Sequence, residues 1–355
     1  MRILLLTIDL ASNATGRTYV LWLVAHALGW ETTVVAPSGD SIWAPVAGSE
    51  FAKNCIVLRE ELSADNEQLD NLARSSDLII AVKPLPSSYG RAIALHRQTG
   101  VPVLLDIDDP TLEARLRTRQ PVRLLGHAVV RPRTFWPLVR LYAHAKREQH
   151  VIVSNPTLQR RWGGAVVPHA REDTGDGLPH ESSSPRVVFV GTNSKHKGME
   201  VLRSAIEQCQ DLAVTLTVTD SPPIDALPWE SWVGRTTLAE GRALVRSADI
   251  VVLPSLPGAT YSEAQLPAKL IDAMIAGRAI IVSNRAPIEW ALGGSGVVVD
   301  SYDAESFAKA IRDLADPGVR RALGQGARNR ALSHFSVEGV QDAFEKSCND
   351  AAYDR

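Results

Sequence analysis

The chain has 355 residues, of which 45% are hydrophobic and 22% charged, and its formal net charge is −2. This composition excludes an intrinsically disordered chain and gives no general electrostatic footprint for nucleic acid, while the length suffices for two ordinary cores. Cys55, Cys209 and Cys348 are far apart and in no metal-binding spacing, which reads as reduced thiols. No apolar stretch reaches the ~18 residues of a spanning helix, and the first residues lack the apolar region of a signal peptide. The expectation is a cytoplasmic protein, at most peripheral at the inner face of a membrane.

In chain order, short apolar runs alternate with longer amphipathic stretches, the pattern of βα units around a parallel sheet. Residues 3–7 are expected to form a buried strand, followed by a polar loop and a helix over 17–28. Further strands are expected at 32–36, 78–82, 101–106 and 150–154. Their apolar runs do not alternate strictly, as suits a sheet covered by helices on both faces. The polar stretch 170–185, rich in Gly, Pro and Ser, reads as an interdomain linker. Strands then recur at 187–190, 213–218, 232–234, 250–254, 279–283 and 296–299, with helices at 198–208, 238–246, 267–276, 304–314 and 337–348. Two successive doubly wound α/β domains follow, with ligands expected at the C-terminal edges of their strands.

The most specific segment is 247–277, SADIVVLPSLPGATYSEAQLPAKLIDAMIAG. It reads as a buried strand, a long polar loop and a helix opening at Leu266, Pro267 and Ala268. Proline suits a first helical position, and the first turn leaves N–H groups free for an anion. Lys269 adds a positive charge to that turn, and Asp272 can accept hydrogen bonds from sugar hydroxyls. The segment resembles the donor-binding signature of the GT-B glycosyltransferases of family 4 (glycosyl transferases group 1), ordered AD…PS…E…P…EAMA.G.PVV. The resemblance implies that Asp272 takes the second acidic place, which holds the nucleotide ribose. The first acidic place falls on Ala264, with Glu263 beside it as the candidate contact to the transferred sugar.

Three further stretches carry the resemblance. VVFVGTNSKHKGMEVLRSAI is similar to the family's FVGR…KG…L..A, whose basic pair neutralises the diphosphate. Lys197 matches the second basic residue, Thr192 stands at the first, and Lys195 is the candidate substitute. SWVGRTTLAEGRALVRSADIVVLPS resembles the stretch whose backbone, here at Gly234 and Arg235, meets the base. TIDLASNATGRTYV stands where the family has a glycine-rich loop, of which Gly16 remains.

VPVLLDIDDPT places Asp106, Asp108 and Asp109 at a strand end. Three readings stand: a metal-binding DxD, capping of the following turn, and acceptor binding or general base work by Asp106 or Asp109. The catalytic candidates are therefore Asp106, Asp109 and Lys197. Residues 111–150 hold Arg115, Arg117, Arg119, Arg123, Arg131, Arg133, Arg140, Lys146 and Arg147 against Glu113 and Glu148. Leu124, Leu125, Phe135, Trp136 and Tyr142 are interleaved. This stretch is a solvated face, a docking face for an anionic membrane, or the seat of an anionic acceptor.

The expected architecture is GT-B, two Rossmann-like doubly wound parallel-sheet domains facing a central cleft. Residues 1–170 form the acceptor domain with 337–355 packing back on it, 171–185 the linker, and 186–336 the donor domain. The expected activity moves a hexosyl group from a UDP- or GDP-sugar to a hydroxyl acceptor, which is a glycan, a lipid-linked sugar or a small molecule. The family resemblance implies retention of anomeric configuration, without an essential metal or cofactor. The alternatives are a nucleotide-sugar epimerase and a degenerate nucleotide-sugar binder. The first strand leads into no GxGxxG, which argues against a dinucleotide oxidoreductase.

Overall fold

The structure, a computed structural model, describes residues 1–39, 41–59, 63–116, 129, 131–191, 197–256 and 263–354. Thr192, Lys195, Arg117, Arg119, Arg123, Leu124 and Leu125 lie outside the described residues. The chain divides into two units, Met1–His169 with Val340–Arg355, and Ala170–Gly339.

Unit 1 runs β1 (Arg2–Leu6), α1 (Thr15–Ala27), β2 (Glu31–Ala36), β3 (Cys55–Val57), α2 (Ser63–Arg74), β4 (Leu78–Val82) and α3 (Arg91–Thr99). It continues with β5 (Val103–Ile107), α4 (Thr111–Leu116), α5 (Pro132–Ala145), β6 (Val151–Val153), α6 (Pro156–Trp162) and β7 (Ala165–Val166). Its sheet has the order β3-β2-β1-β4-β5-β6-β7 and is parallel throughout. Leu78 to Val82 are buried at every position, which explains an uninterrupted apolar run. Helix α1 is buried from Arg17 to Ala25, so its sequence has no polar face.

Unit 2 runs β8 (Arg186–Phe189), α7 (Met199–Glu207), β9 (Thr215–Val218), β10 (Glu230–Trp232), α8 (Leu238–Ser247), β11 (Ile250–Leu253) and α9 (Ala268–Ile275). Then come β12 (Ala279–Ser283), α10 (Ala286–Leu292), β13 (Val297–Val299), α11 (Ala304–Asp313) and α12 (Pro317–His334). The last helix, α13 (Val337–Tyr353), belongs to unit 1 from Val340 onward. The parallel sheet of unit 2 has the order β10-β9-β8-β11-β12-β13. Alternate residues of its strands feed two cores. Phe189, Val252 and Ile281 pack with Met199, Leu202, Phe307 and Ile311 on one face. Val251, Leu253 and Val282 pack with Leu270, Met274, Ile288 and Phe335 on the other. Two covered faces are what a strand of unbroken apolar residues requires.

Several elements differ from expectation. The strand expected at 232–234 lies at β10, and Gly234 beyond it is left-handed with φ +77°. Pro267 is the cap of α9 and not its first residue. Strands β3 and β7 and helices α2, α3, α6, α10 and α12 carry no strong apolar signal and are additional to the expected elements. In α12 the buried positions include Arg320, Gly324, Ala327 and Ala331. A Cβ at Gly324 would stand 2.1 Å from the Gly277 carbonyl oxygen, so this helix packs backbone to backbone.

The polar stretch 171–185 is fixed along unit 2. Gly177 N–H donates to the Ala276 carbonyl at 3.0 Å, and Leu178 N–H to that of Arg246 at 2.8 Å. Arg246 and Arg278 donate to the carbonyls of Thr174 and Leu178 at 2.6 and 2.7 Å. At its start Arg171 N–H donates to the Phe335 carbonyl at 2.9 Å, and Val337 N–H returns to the Arg171 carbonyl at 3.0 Å. The chain therefore enters and leaves unit 2 side by side.

Candidate functional site

Turns after β8, β11 and β12 line one edge of the unit 2 sheet. After β8 the chain turns at Gly191 with φ +128°, a conformation that favours glycine. Its N–H donates to Thr219 Oγ1 at 2.7 Å. A Cβ at Gly191 would sit 3.6 Å from Lys197 Nζ and 3.7 Å from Lys269 Nζ. Two ammonium groups from separate elements thus meet over bare backbone. Lys269 comes from the first turn of α9 and lies 4.4 Å from the centre of the Phe189 ring. Burial, and after it the charge of Lys197, push the Lys269 ammonium down to about 7. Burial also lowers Lys197, against the opposing pull of Asp220. Desolvated like charges facing each other gain most from a ligand carrying negative charge on both sides of the turn, as a diphosphate does.

Neighbouring residues fix this arrangement. Gly198, left-handed at φ +73°, opens α7 directly after Lys197. A Cβ there would come within 2.5 Å of both the Pro254 carbonyl oxygen and the Tyr302 hydroxyl. Arg285, buried at the cap of α10, donates to the carbonyl of Ser255 at 3.1 Å and to that of Leu256. It thereby holds the turn after β11. Burial lowers the Arg285 pKa, and the nearby Glu263 carboxylate opposes that shift. Ala264 is fully buried, so the expected first acidic place is a core position, and Glu263 beside it keeps partial exposure. Leu266 is also core, packed among the residues beneath α9.

Asp272 has a different partner from the one its motif suggests. Its Oδ1 accepts from Arg171 Nε at 2.6 Å and lies 3.6 Å from Arg242 Nε. The carboxylate expected at the ribose is thus engaged by two guanidiniums of unit 2 itself. Neither partner was legible: Arg171 lies 101 residues away in a stretch that reads as a linker. Gly234 follows β10 with its N–H donating to the Asp220 carbonyl at 3.1 Å, and Arg235 is exposed. A capping box between Thr237 and Glu240 fixes the start of α8 just beyond.

In unit 1 Asp106, expected at the acceptor or as a base, is fully buried. Arg17 donates through Nε to both its oxygens at 3.1 Å and through Nη2 to Oδ1 at 2.7 Å. Arg17 also donates to the carbonyls of Val167 and Pro168 at 2.8 and 2.9 Å. A carboxylate without access and bound by a guanidinium on both oxygens anchors β5 to α1 and has no route to a substrate proton. Gly16, beside Arg17, lies in the first turn of α1, where a Cβ would make ordinary contact with the Trp43 ring at 3.6 Å. Glycine is therefore not required there by packing.

Asp108 and Asp109 converge instead on Lys83. The Lys83 ammonium donates to Asp108 Oδ1 at 2.8 Å and to Asp109 Oδ2. Burial works to lower its pKa, but the two carboxylates more than offset that and raise it. Asp109 is itself raised, by burial and by the charge of Asp108, against the pull of Lys83. Its other oxygen accepts from the Thr111 N–H at 2.9 Å, which ties it to the start of α4. Lys83 is a non-glycine residue at φ +71°, a conformation whose strain its ion pairs help to hold. Asp106 and Asp108 thus take different cations. Among the described residues no three His, Cys, Asp or Glu side chains are grouped to hold a metal ion. Among the same residues no helix is long and apolar enough to cross a membrane.

Residues 184–316 match the family model described as Glycosyl transferases group 1. The lipopolysaccharide core biosynthesis glycosyltransferase LpsE of Rhizobium meliloti (strain 1021) is 25% identical over 214 residues, covering 56% of this chain and 57% of that protein. The chain spans little more than half the length of this curated relative. Sucrose-phosphate synthase from Thermosynechococcus elongatus superposes with a TM-score of 0.69 at 18% identity, over 98% of both chains. HepE of Anabaena, in complex with UDP and glucose, superposes with a TM-score of 0.71 at 12% identity, again over 98% of both. These likenesses show that the chain has the GT-B fold. The stretch similar to glycosyl transferases group 1 lies within its second unit.

Proposed function

We propose that this protein transfers a hexosyl group from a UDP-sugar to a hydroxyl of a saccharide acceptor, with the donor diphosphate seated between Lys197 and Lys269. The observation that carries the reading is the convergence of the two ammonium groups on Gly191. Lys269 then supplies the positive charge that the family places one residue after the glycine, where this chain has Thr192. The complex of HepE with UDP and glucose favours a uridine nucleotide over a guanosine one, and a hexose. The relative in lipopolysaccharide core biosynthesis favours a saccharide acceptor in a glycan or glycolipid.

In this reaction the bond from sugar C1 to the diphosphate oxygen breaks and a bond from C1 to the acceptor oxygen forms. The nucleotide diphosphate leaves with the bonding pair and takes up the proton that the acceptor hydroxyl loses. Lys197, Lys269 and the free N–H groups at the start of α9 stabilise the negative charge growing on the leaving group. Gly234 and Arg235 border the base, and Glu263 the sugar. Asp272 reaches the ribose only as part of its pair with Arg171. Asp109 is the remaining acidic candidate for the acceptor, with Lys83 holding it. Retention of configuration and independence of metal rest on the family resemblance.

A second reading, a nucleotide-sugar binder without turnover, is favoured by one observation. Ala264 is buried and Asp272 is tied to Arg171, so neither acidic place of the signature offers an unengaged carboxylate. Thermal stabilisation by UDP, GDP, ADP and CDP tests the donor site first. UDP at 100 times its dissociation constant should stabilise the fold by about 2.7 kcal/mol, and Lys197→Ala or Lys269→Ala should remove most of that. No stabilisation by any nucleotide would overturn the donor assignment. Release of UDP from UDP-hexose should then depend on added saccharide. Release with a modified free sugar and no acceptor would mean an epimerase, and binding without release the second reading.

A further inference from the structure

Helix α5 buries Phe135, Leu141 and Ala145 and turns Arg133, Trp136 and Arg140 outward, with Arg147 just past its end, while the exposed His144 between them meets the Tyr89 hydroxyl with Nδ1 at 3.0 Å. The spacing of three, four, four and three residues keeps all five on one helical face. Residues 131–147 hold five Arg or Lys side chains and no Asp or Glu. The guanidiniums of Arg203, Arg278, Arg312 and Arg328 in unit 2 are spent on carboxylates or carbonyls. Those of Arg133, Arg140 and Arg147 have no such partner among the described residues. Lys146 is not part of this row, because it lies 4.1 Å from the Trp162 ring centre and donates to the Arg161 carbonyl.

We infer that this face of α5 docks the protein onto an anionic lipid surface. Arg140, His144 and Arg147 line a cavity of about 580 Å³ together with Glu148 and His150. The Glu148 carboxylate accepts from the Tyr89 hydroxyl at 2.7 Å, and His150 faces Asp354 at 3.7 Å. The two guanidiniums are therefore left to meet an outside anion, and the cavity has room for a phosphate headgroup. The exposed aromatic decides between a lipid surface and a soluble phosphate. Trp136 stands half exposed within the row of cations, and Val129 is exposed shortly before α5. A cationic face with an indole at its level is the pattern of a helix lying in a membrane interface. With the whole chain at −2, the attraction belongs to this face and not to net charge.

The full-length protein is sedimented with vesicles of phosphatidylcholine alone and with vesicles containing about a third phosphatidylglycerol. Binding is expected only to the anionic vesicles and should fall steeply as salt shortens the reach of the charges. Each guanidinium removed should weaken partitioning about fivefold, so Arg133→Gln/Arg140→Gln/Arg147→Gln should lose on the order of a hundredfold. Trp136→Ala should weaken it at every salt concentration. An unchanged urea midpoint shows that these exposed-site variants are folded, and unchanged stabilisation by UDP separates this test from that of the donor site. Equal binding to both vesicle types, or full binding by the triple variant, overturns the inference. Stabilisation of the wild type by inorganic phosphate, lost in the triple variant and without vesicle binding, would make the face a soluble-anion site and also overturn it.

Discussion

At Lys269, burial and the charge of Lys197 act in the same direction, and an anion relieves both. With its pKa near 7 in the free protein, this ammonium is lost as pH rises through neutrality. Affinity for a UDP-hexose, whose diphosphate does not titrate there, should be higher at pH 6 than at pH 8.5. Binding at pH 7.5 should take up a proton, read as a dependence of calorimetric heat on buffer ionisation enthalpy. Lys269→Arg, which stays charged, should flatten both effects. For the unliganded fold the sign reverses. Between pH 7 and about 10 the unfolded chain binds more protons at this lysine, so its contribution to stability rises with pH across that window. Asp106 poses the opposite case, a buried charge already satisfied. Asp106→Ala leaves the Arg17 guanidinium buried without its carboxylate and should cost about 3–5 kcal/mol in denaturant unfolding. A loss within experimental error would remove the anchoring role. Lys269 stands out from a helix start in its local sequence, whereas Lys197 is singled out by resemblance to the family's basic pair. The fate of Asp106 was not legible, because Arg17, 89 residues away, decides it.

Among the elements, strands with two covered faces were the easiest to read, since β4, β8, β11 and β12 each form an apolar run with a polar break on either side. Helix α12 was the hardest. Its contact with Gly277 depends on glycine and alanine at buried positions, which leave no apolar stripe in the sequence. Helix α13 lies between these extremes. Its Phe344 ring sits 5.9 Å from that of Trp30 and is fully buried. Phe344→Ala should cost about 3–5 kcal/mol, measured as a shift of the urea midpoint. Because UDP is assigned to unit 2, the folded variant should still bind it. An unchanged midpoint would mean that α13 contributes little to unit 1.

For the whole molecule, the restart of the βα pattern after residue 185 made two doubly wound halves legible. Linear order could not show that the stretch 171–185 is built into unit 2, because its bonds run to Arg246, Ala276 and Arg278 on distant elements. The pairing of Arg171 with Phe335 and Val337 bears on how the chain comes together. Unit 2 is one continuous stretch whose two ends meet, so all its parts are neighbours in the chain. Unit 1 is split, most of it preceding unit 2 in the chain and its last helix following it. Until Val340–Arg355 has emerged, the surface that Phe344, Cys348 and Ala351 will cover stays bare. The half of the protein synthesised earliest is thus the one that waits longest with apolar surface open to wrong partners.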